Sequence, residues 1–351
     1  MKENLSGKCE SCGSELYFNP EDRGLKCKAC GRVDFFDVED EYSKKTIELE
    51  TLTVISKDEI AKKSVTRCDS CGASFTGQYV TLATKCEYCG GNMVVDDAAS
   101  HPDACVPFSF NKEAASIKFA EGVKKKFLAP RAFKKNPKPE SIESIYVPAF
   151  SFSTQVDAAF SGELYENETD SDGDTYKRRF RINGTEYATI NNVLVECSDY
   201  LTQTELKQIE PYYMNETKKF NQAFVYGYSV EYYNRTVEES AKIAREIVQE
   251  RVKKKILSRY DYDGVNSLNV DYNYHDSTYS YLLLPTYRVN YKYKNKEYST
   301  VMNGQTGKIG GNTPTSKWKI FWIVLGILAV FGGVVALFSD ELFREIMRFV
   351  R

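Results

Sequence analysis

Residues 9–30 read CESCGSELYFNPEDRGLKCKAC, and residues 68–89 repeat the same arrangement as CDSCGASFTGQYVTLATKCEYC. In both stretches, fourteen residues separate two Cys-x2-Cys pairs, and a glycine follows each pair. Two such turns can present four thiolates to one tetrahedral Zn²⁺ ion, and glycine allows positive φ after each turn. The pattern therefore predicts two zinc ribbons that hold one zinc ion each, with these ligands: Cys9, Cys12, Cys27, Cys30, Cys68, Cys71, Cys86 and Cys89.

The predicted zinc sites are structural. Four sulfurs complete the coordination shell, which leaves no position for water or substrate. A disulfide framework is the alternative, but disulfides persist in oxidising compartments, and no secretory signal precedes the first ribbon. Each ribbon is too short to bury much apolar surface, so we expect metal binding and folding to be coupled.

Near the C-terminal end, residues 320–338 are nineteen consecutive residues without a charged side chain. As a helix they would extend about 28 Å, close to the hydrocarbon thickness of a bilayer. We predict one transmembrane helix there and an amphipathic tail at 339–351, with a buried core helix as the alternative. Because thiolate zinc sites persist where thiols stay reduced, the predicted location is the cell membrane, with the N-terminal part in the cytoplasm.

Composition and spacing divide the rest of the chain into units. The first ribbon is assigned to residues 6–36, a charged connector to 37–63, the second ribbon to 64–97, and a mixed domain to 101–314. The predicted fold class is multidomain: two small β zinc ribbons, an α+β domain with an antiparallel sheet, and one C-terminal transmembrane helix.

Periodicity identifies individual elements of the mixed domain. Thr236 and Glu239 match a capping box, which predicts that a helix begins there. Apolar and polar residues alternate over 224–231 and again over 268–274, which predicts two strands. Strands of this kind bury one face and are typical of antiparallel sheets.

No recognisable catalytic constellation occurs, and we predict that the protein is not an enzyme. The two histidines, His101 and His275, lie outside any base or metal-binding arrangement. Cys105 and Cys197 lack neighbours at metal-binding spacing and are predicted to be buried thiols. The acidic run 170–174 lacks the glycine and the closing glutamate of a calcium loop, so we interpret it as a polar hairpin tip.

Protein docking and nucleic-acid binding are the two functions that stay open. Zinc ribbons and tyrosine-bearing strands also occur in nucleic-acid-binding proteins. The charge balance of 47 basic against 49 acidic residues opposes that function, because a phosphate backbone is bound through excess positive charge. We favour a non-enzymatic, membrane-anchored adaptor that docks partner proteins, with a membrane-tethered nucleic-acid-binding protein as the alternative.

Residues 112–140 are the main basic stretch, with nine Lys or Arg against three glutamates. They either contact anionic lipid or form a solvated helix face, and both interpretations stay open. Small residues four apart in the predicted span, such as Ala329 and Gly333, would also permit self-association. The lysines of the possible lipid contact are Lys124, Lys125, Lys126, Lys134 and Lys135.

Further motifs accompany the ribbons: Val106-Pro107-Phe108, Ala129-Pro130-Arg131, residues 145–150, Leu284-Pro285-Thr286-Tyr287 and residues 303–308. Together they resemble the YdjG-like family of bacterial membrane-anchored zinc-ribbon proteins, often labelled transcription-factor-type zinc-ribbon or primosomal-helicase-like proteins. The resemblance implies a role in phage-shock-type envelope stress, with a second membrane protein and a flotillin-like scaffold as partners. This chain has Pro148-Ala149-Phe150 where the family commonly has Pro-Phe-Trp, and it contains no nucleotide-binding motif to support the helicase label.

Overall fold

The computed structural model describes residues 7–54, 101–231 and 233–329, together with four short strand segments between residues 66 and 94. Its strands are β1 Leu16–Asn19, β2 Gly24–Cys27, β3 Val33–Asp34, β4 Lys45–Glu48, β5 Thr53–Val54, β6 Thr66–Arg67, β7 Ser74–Phe75, β8 Thr81–Lys85, β9 Asn92–Val94, β10 Ala104–Cys105, β11 Ser141–Thr169, β12 Thr175–Glu196, β13 Lys218–Lys219, β14 Ser229–Glu231, β15 Gly264–Tyr293, β16 Lys296–Asn303 and β17 Ile309–Gly311. Its α-helices are α1 Lys112–Lys125, α2 Arg131–Lys135, α3 Gln203–Ile209 and α4 Val237–Leu257, and residues 317–329 are also helical.

Two very long antiparallel strands organise the fold. β11 has 29 residues and β15 has 30, and they pair from Ser141 with Asn290 to Tyr165 with Gly264. At the usual rise per residue each strand extends roughly 100 Å. They form the centre of a sheet to which twelve described strands belong, and most of its pairings are antiparallel.

In one half of this sheet both faces are covered. The Tyr291 ring packs against Phe119 of α1 and Phe133 of α2, with ring centroids 5.2 and 5.1 Å apart. On the opposite face, Leu284 and Val147 belong to a buried cluster that includes Leu206 and Ile209 of α3. Two covered faces explain why residues 145–150 are a continuous buried run instead of an alternating one.

The other half of the sheet is a three-stranded arm that consists of residues 154–169 of β11, 175–190 of β12 and 264–276 of β15. Helix α4 covers one face of the arm, and its buried residues share a cluster with Val156 and Phe160. This helix begins at the predicted capping box, in which Thr236 and Glu239 exchange hydrogen bonds. The opposite face of the arm carries alternate polar residues that are mostly exposed.

The strand predicted over 224–231 is largely replaced by other structure. Residues Gln222–Val225 form a 3-10 turn, and only Ser229–Glu231 form a strand, β14. The aromatic residues in this segment instead contact the first ribbon, as described below. The strand predicted over 268–274 is confirmed as part of β15.

The predicted transmembrane helix is wrong. Within the described part of the chain, no helix is both long enough and apolar enough to cross a membrane. Residues 317–329 are helical. The rest of the predicted span, 330–338, and the predicted tail, 339–351, lie outside the described residues. The predictions of a tail anchor and of a single-pass location in the cell membrane are corrected with it.

The predicted fold class is also wrong in how it divides the chain between ribbons, sheet and helices. The chain is mainly one large sheet with few helices, and the sheet includes strands that were assigned to a separate second ribbon. β8 pairs with β14 at Ala83 and Val230, and β9 continues the same sheet. Cysteine spacing could not reveal this, because it fixes local turns and not the neighbour with which a strand pairs.

Candidate metal centre

Four cysteines of the first ribbon converge on one point. The sulfurs of Cys9, Cys12, Cys27 and Cys30 all lie within 4.8 Å of one another. Cys9 and Cys30 are 3.6 Å apart at Sγ, and Cys12 and Cys27 are 3.4 Å apart. Zn–S bonds of about 2.3 Å in a tetrahedron would separate the sulfurs by about 3.8 Å, so the donor set fits one metal ion. All four cysteines are free, and the disulfide alternative does not apply to them.

Two short turns position these sulfurs. Gly13 N–H donates to the Cys9 carbonyl at 2.8 Å, and Gly31 N–H donates to the Cys27 carbonyl at 3.2 Å. Both glycines have positive φ, 69° and 74°, which L side chains rarely adopt. The prediction that glycine completes each turn is therefore confirmed for the first ribbon. The hairpin of β1 and β2 then brings the second turn back over the first.

Hydrogen bonding gives the thiols of Cys27 and Cys30 different pKa values. The backbone N–H groups of Cys30 and Ala29 lower the pKa of Cys27 to about 6. A hydrogen bond from the Arg32 backbone N–H lowers the pKa of Cys30. The sulfurs of Cys27 and Cys9 raise it by more, so that this pKa lies at about 11. The set therefore holds at least one thiol as a ready thiolate near neutral pH, which is the form that binds metal.

Arg32 ties the two turns together at the ribbon surface. Its guanidinium donates to Ser11 Oγ at 2.7 Å and to Asp34 Oδ1 at 2.6 Å, and it lies 3.4 Å from a Glu10 oxygen. Lys28 pairs with Glu15 at 2.9 Å on the same module. Solvent screens exposed pairs of this kind and they contribute little stability, so we assign the fold of the ribbon mainly to its metal-binding residues.

The first ribbon is fixed to the large sheet by an aromatic joint, which consists of Phe18, Phe36, Phe224 and Tyr228. The Phe224 ring lies 5.3 Å from Phe18 and 5.1 Å from Phe36, in edge-to-face geometry. Phe18 N–H donates to the Tyr226 carbonyl at 2.9 Å, and the Tyr228 hydroxyl donates to the Phe18 carbonyl at 3.3 Å. Sequence reasoning missed this joint, because the alternation over 224–230 was assigned to a strand.

The other predicted ligands, Cys68, Cys71, Cys86 and Cys89, lie outside the described residues, so the second zinc ion stays a prediction. The lysines of the basic stretch lie at the ends of two helices. Lys124 and Lys125 end α1, and Lys134 and Lys135 end α2, where positive charge complements the helix dipole. Lys126 is the C-cap residue of α1. Contact of these residues with anionic lipid stays a prediction.

The remaining candidate groups have local explanations. Burial raises the pKa of the Cys105 and Cys197 thiols, which are fully enclosed, so the prediction of buried thiols is confirmed. His275 forms an exposed pair with Asp157 at 3.2 Å. The Asp170 carboxylate accepts the N–H groups of Asp172 and Asp174, which confirms a polar hairpin tip.

Comparison with known proteins gives one informative relative. No family model and no solved structure matches the chain. The chain is 30% identical over 327 residues to a Bacillus subtilis (strain 168) protein that carries the name "Uncharacterized protein YdjG". The match covers 90% of this chain and 92% of the relative. By this similarity, the chain belongs to the YdjG family.

Proposed function

We propose that this protein is a non-enzymatic adaptor in which zinc-stiffened ribbons and the large sheet together form docking surfaces for partner proteins. The observation that carries the proposal is the four-cysteine centre on a ribbon clamped to the sheet by the aromatic joint. A closed set of four thiolates suits a structural ion, and a rigidly held module loses little conformational entropy when it binds a partner.

Zinc is the metal that this donor set favours. Soft thiolates select zinc or iron–sulfur chemistry, and a tetrahedral all-sulfur shell is the usual closed site for structural zinc. We extend the assignment to Cys68, Cys71, Cys86 and Cys89, because their spacing repeats that of the first ribbon. The protein would then hold two zinc ions.

The docking surface that we assign to the first ribbon is the joint cavity, a cavity of about 320 Å³ beside the aromatic joint. Its walls include Phe18, Val38, Phe108 and Phe224, and its rim carries charges of both signs. Val38, one of the apolar wall residues, is 43% exposed and therefore accessible from outside. A buried apolar anchor from a partner is the typical energetic centre of a protein interface.

The connector holds one wall of the joint cavity in place. Lys219 N–H donates to the Glu39 carbonyl at 2.8 Å, and the Lys219 side chain reaches the Glu39 carboxylate at 2.6 Å. Lys218 pairs with Asp40. These contacts fix residues 39 and 40 against β13, so Val38 stays at the cavity instead of moving with a loose linker.

A photo-crosslinking amino acid at position 38 tests this function. We expect Val38→p-benzoyl-phenylalanine in the native host to give a discrete protein adduct, because a partner that fills the joint cavity lies within reach of the probe. The same probe at Tyr176, which is 49% exposed at the far end of the arm, is the matched control and should not give that adduct. Mass spectrometry identifies the crosslinked chain, and the partners implied by the family resemblance are the first to compare.

The metal dependence of the adduct links it to the ribbon. Combining the Val38 probe with Cys9→Ser should abolish the adduct, because the ribbon that supplies Phe18, Pro20 and Arg23 to the cavity loses a metal ligand. An identical adduct after loss of the metal would exclude the ribbon as a docking element. A nucleic-acid adduct in place of a protein adduct would support the nucleic-acid-binding alternative against this proposal.

A further inference from the structure

Among the strands that the structure describes, none pairs with the outer edge of β15 in the arm. Residues 264–277 pair with β11 on one side, and the described strands on the other side begin only at Thr278, which pairs with β4. We refer to residues 264–277 as the β15 edge. Its outward backbone N–H and C=O groups form a template for another strand, and natural sheets normally protect such edges with Lys or Pro.

The β15 edge carries none of these protective residues. It contains no Lys, Arg or Pro, whereas the opposite edge of the arm, β12, carries Lys177, Arg178, Arg179 and Arg181. Arg178 pairs with Glu166 and Glu168 of β11, and Arg179 lies 3.8 Å from Glu163, so part of this charge is balanced within the arm. The contrast marks the β15 edge as the less charged side of the arm, with Asp271 and Asp276 as its carboxylates.

An apolar row also lies half-covered along the β15 edge. Leu268, Val270, Tyr272 and Tyr274 face the side of the sheet on which α4 lies, and each keeps intermediate exposure. The Tyr272 hydroxyl is buried and has no hydrogen-bond partner among the described residues. Within the described part of the chain, this edge therefore lacks both a backbone partner and a complete apolar cover.

We propose that a second copy of this chain completes the arm by antiparallel pairing of β15 with β15 across a twofold axis at Val270. In that register Val270 faces its own equivalent, Leu268 faces Tyr272, and Asn269 faces Asp271 of the second copy. Asp271 therefore does not oppose another carboxylate. The result is a continuous six-stranded arm with both α4 helices on one face, and the two apolar rows cover each other between them.

The symmetry of the pair closes the assembly. A twofold contact uses the same edge on both copies and leaves no β15 edge for a third. Pairing of a basic β12 edge with a β15 edge would instead be head-to-tail and would grow into an open filament. Because the twofold axis places residue 270 opposite its own equivalent, like charges at this position should break the proposed contact. Opposite charges on the two copies should restore it.

Complementary charge variants of the full chain test the proposal. The wild type is expected to be a dimer at micromolar concentration by sedimentation velocity. Val270→Lys and Val270→Glu should each be monomeric, because like charges meet at the axis. An equimolar mixture of the two variants should be dimeric again. Circular dichroism of each variant shows whether it is folded, and a misfolded variant would not be rescued by mixing.

Three results would overturn the proposal. A monomeric wild type excludes the contact, and dimeric single variants locate the interface elsewhere. Folded variants that stay monomeric when mixed exclude pairing at Val270. Val265→Lys is the matched control: Val265 is an exposed apolar residue of the same edge but lies away from the axis. This variant should keep the wild-type mass.

Discussion

Replacing Cys27 with serine is expected to remove one equivalent of zinc from the protein and to unfold the first ribbon. Cys27 is only 2% exposed and ends β2, so serine there leaves three sulfurs and an enclosed hydroxyl. Structural zinc sites supply on the order of 10–16 kcal/mol of apparent binding free energy, and this energy is largely the folding energy of a small module. Plasma emission analysis of zinc per chain, with limited proteolysis of the ribbon, measures both effects.

Cys105→Ala is the matched control for the zinc measurement. Cys105 is also a buried free thiol, but it lies in the sheet and away from the metal centre. We expect this variant to keep the zinc content of the wild type even if its stability falls. A Cys27→Ser protein with unchanged zinc content would refute the assignment of the first site.

Acidification should release the same ion without any substitution. Protons compete with metal for thiolates, so zinc affinity falls as pH falls. A chromophoric chelator that monitors free zinc during acid titration follows this release.

The features that local chemistry determines could be predicted from the sequence. The spacing of Cys9, Cys12, Cys27 and Cys30 predicted the metal centre, and the glycines predicted the turns that support it. Thr236 and Glu239 gave the start of α4, because a capping box acts within four residues. In each case the residues that make the structure are neighbours along the chain.

The features that depend on distant partners could not be predicted. The alternation over 224–230 suggested a strand, but Phe224 turns toward Phe18 and Phe36 of the first ribbon. Such contacts join segments about 200 residues apart, and periodicity contains no information about them. The pairing of β8 with β14 was missed for the same reason.

The transmembrane prediction failed for another reason. It rested on the length of an uncharged run, whereas no helix of the described residues is both long enough and apolar enough to cross a membrane. In the structure, helical residues 317–329 begin before the run, at Lys317, and include Trp318 and Lys319. Lys319 donates to the carbonyls of Phe127 and Ala129 at 2.7 and 3.0 Å, so the start of this helix is held against the loop after α1.

The aromatic joint gives the second large prediction, which concerns Phe224. This residue is 3% exposed and packs against two rings of the first ribbon. Phe224→Ala is expected to lower the free energy of unfolding by about 3–5 kcal/mol, because it removes a buried ring and leaves a cavity. Chemical denaturation monitored by tyrosine fluorescence measures the loss.

The zinc content of the Phe224→Ala protein distinguishes loss of the aromatic joint from unfolding of the first ribbon. Because the four ligands lie within residues 9–30, Phe224→Ala should keep its zinc while the ribbon becomes more accessible to protease. Phe35→Ala is the matched control, since Phe35 precedes a joint residue but is 71% exposed, and its truncation should change stability by only about 0.5 kcal/mol. If Phe224→Ala instead loses zinc, the ribbon depends on the sheet for its fold. If the two variants are equally stable, the joint does not hold the ribbon to the sheet.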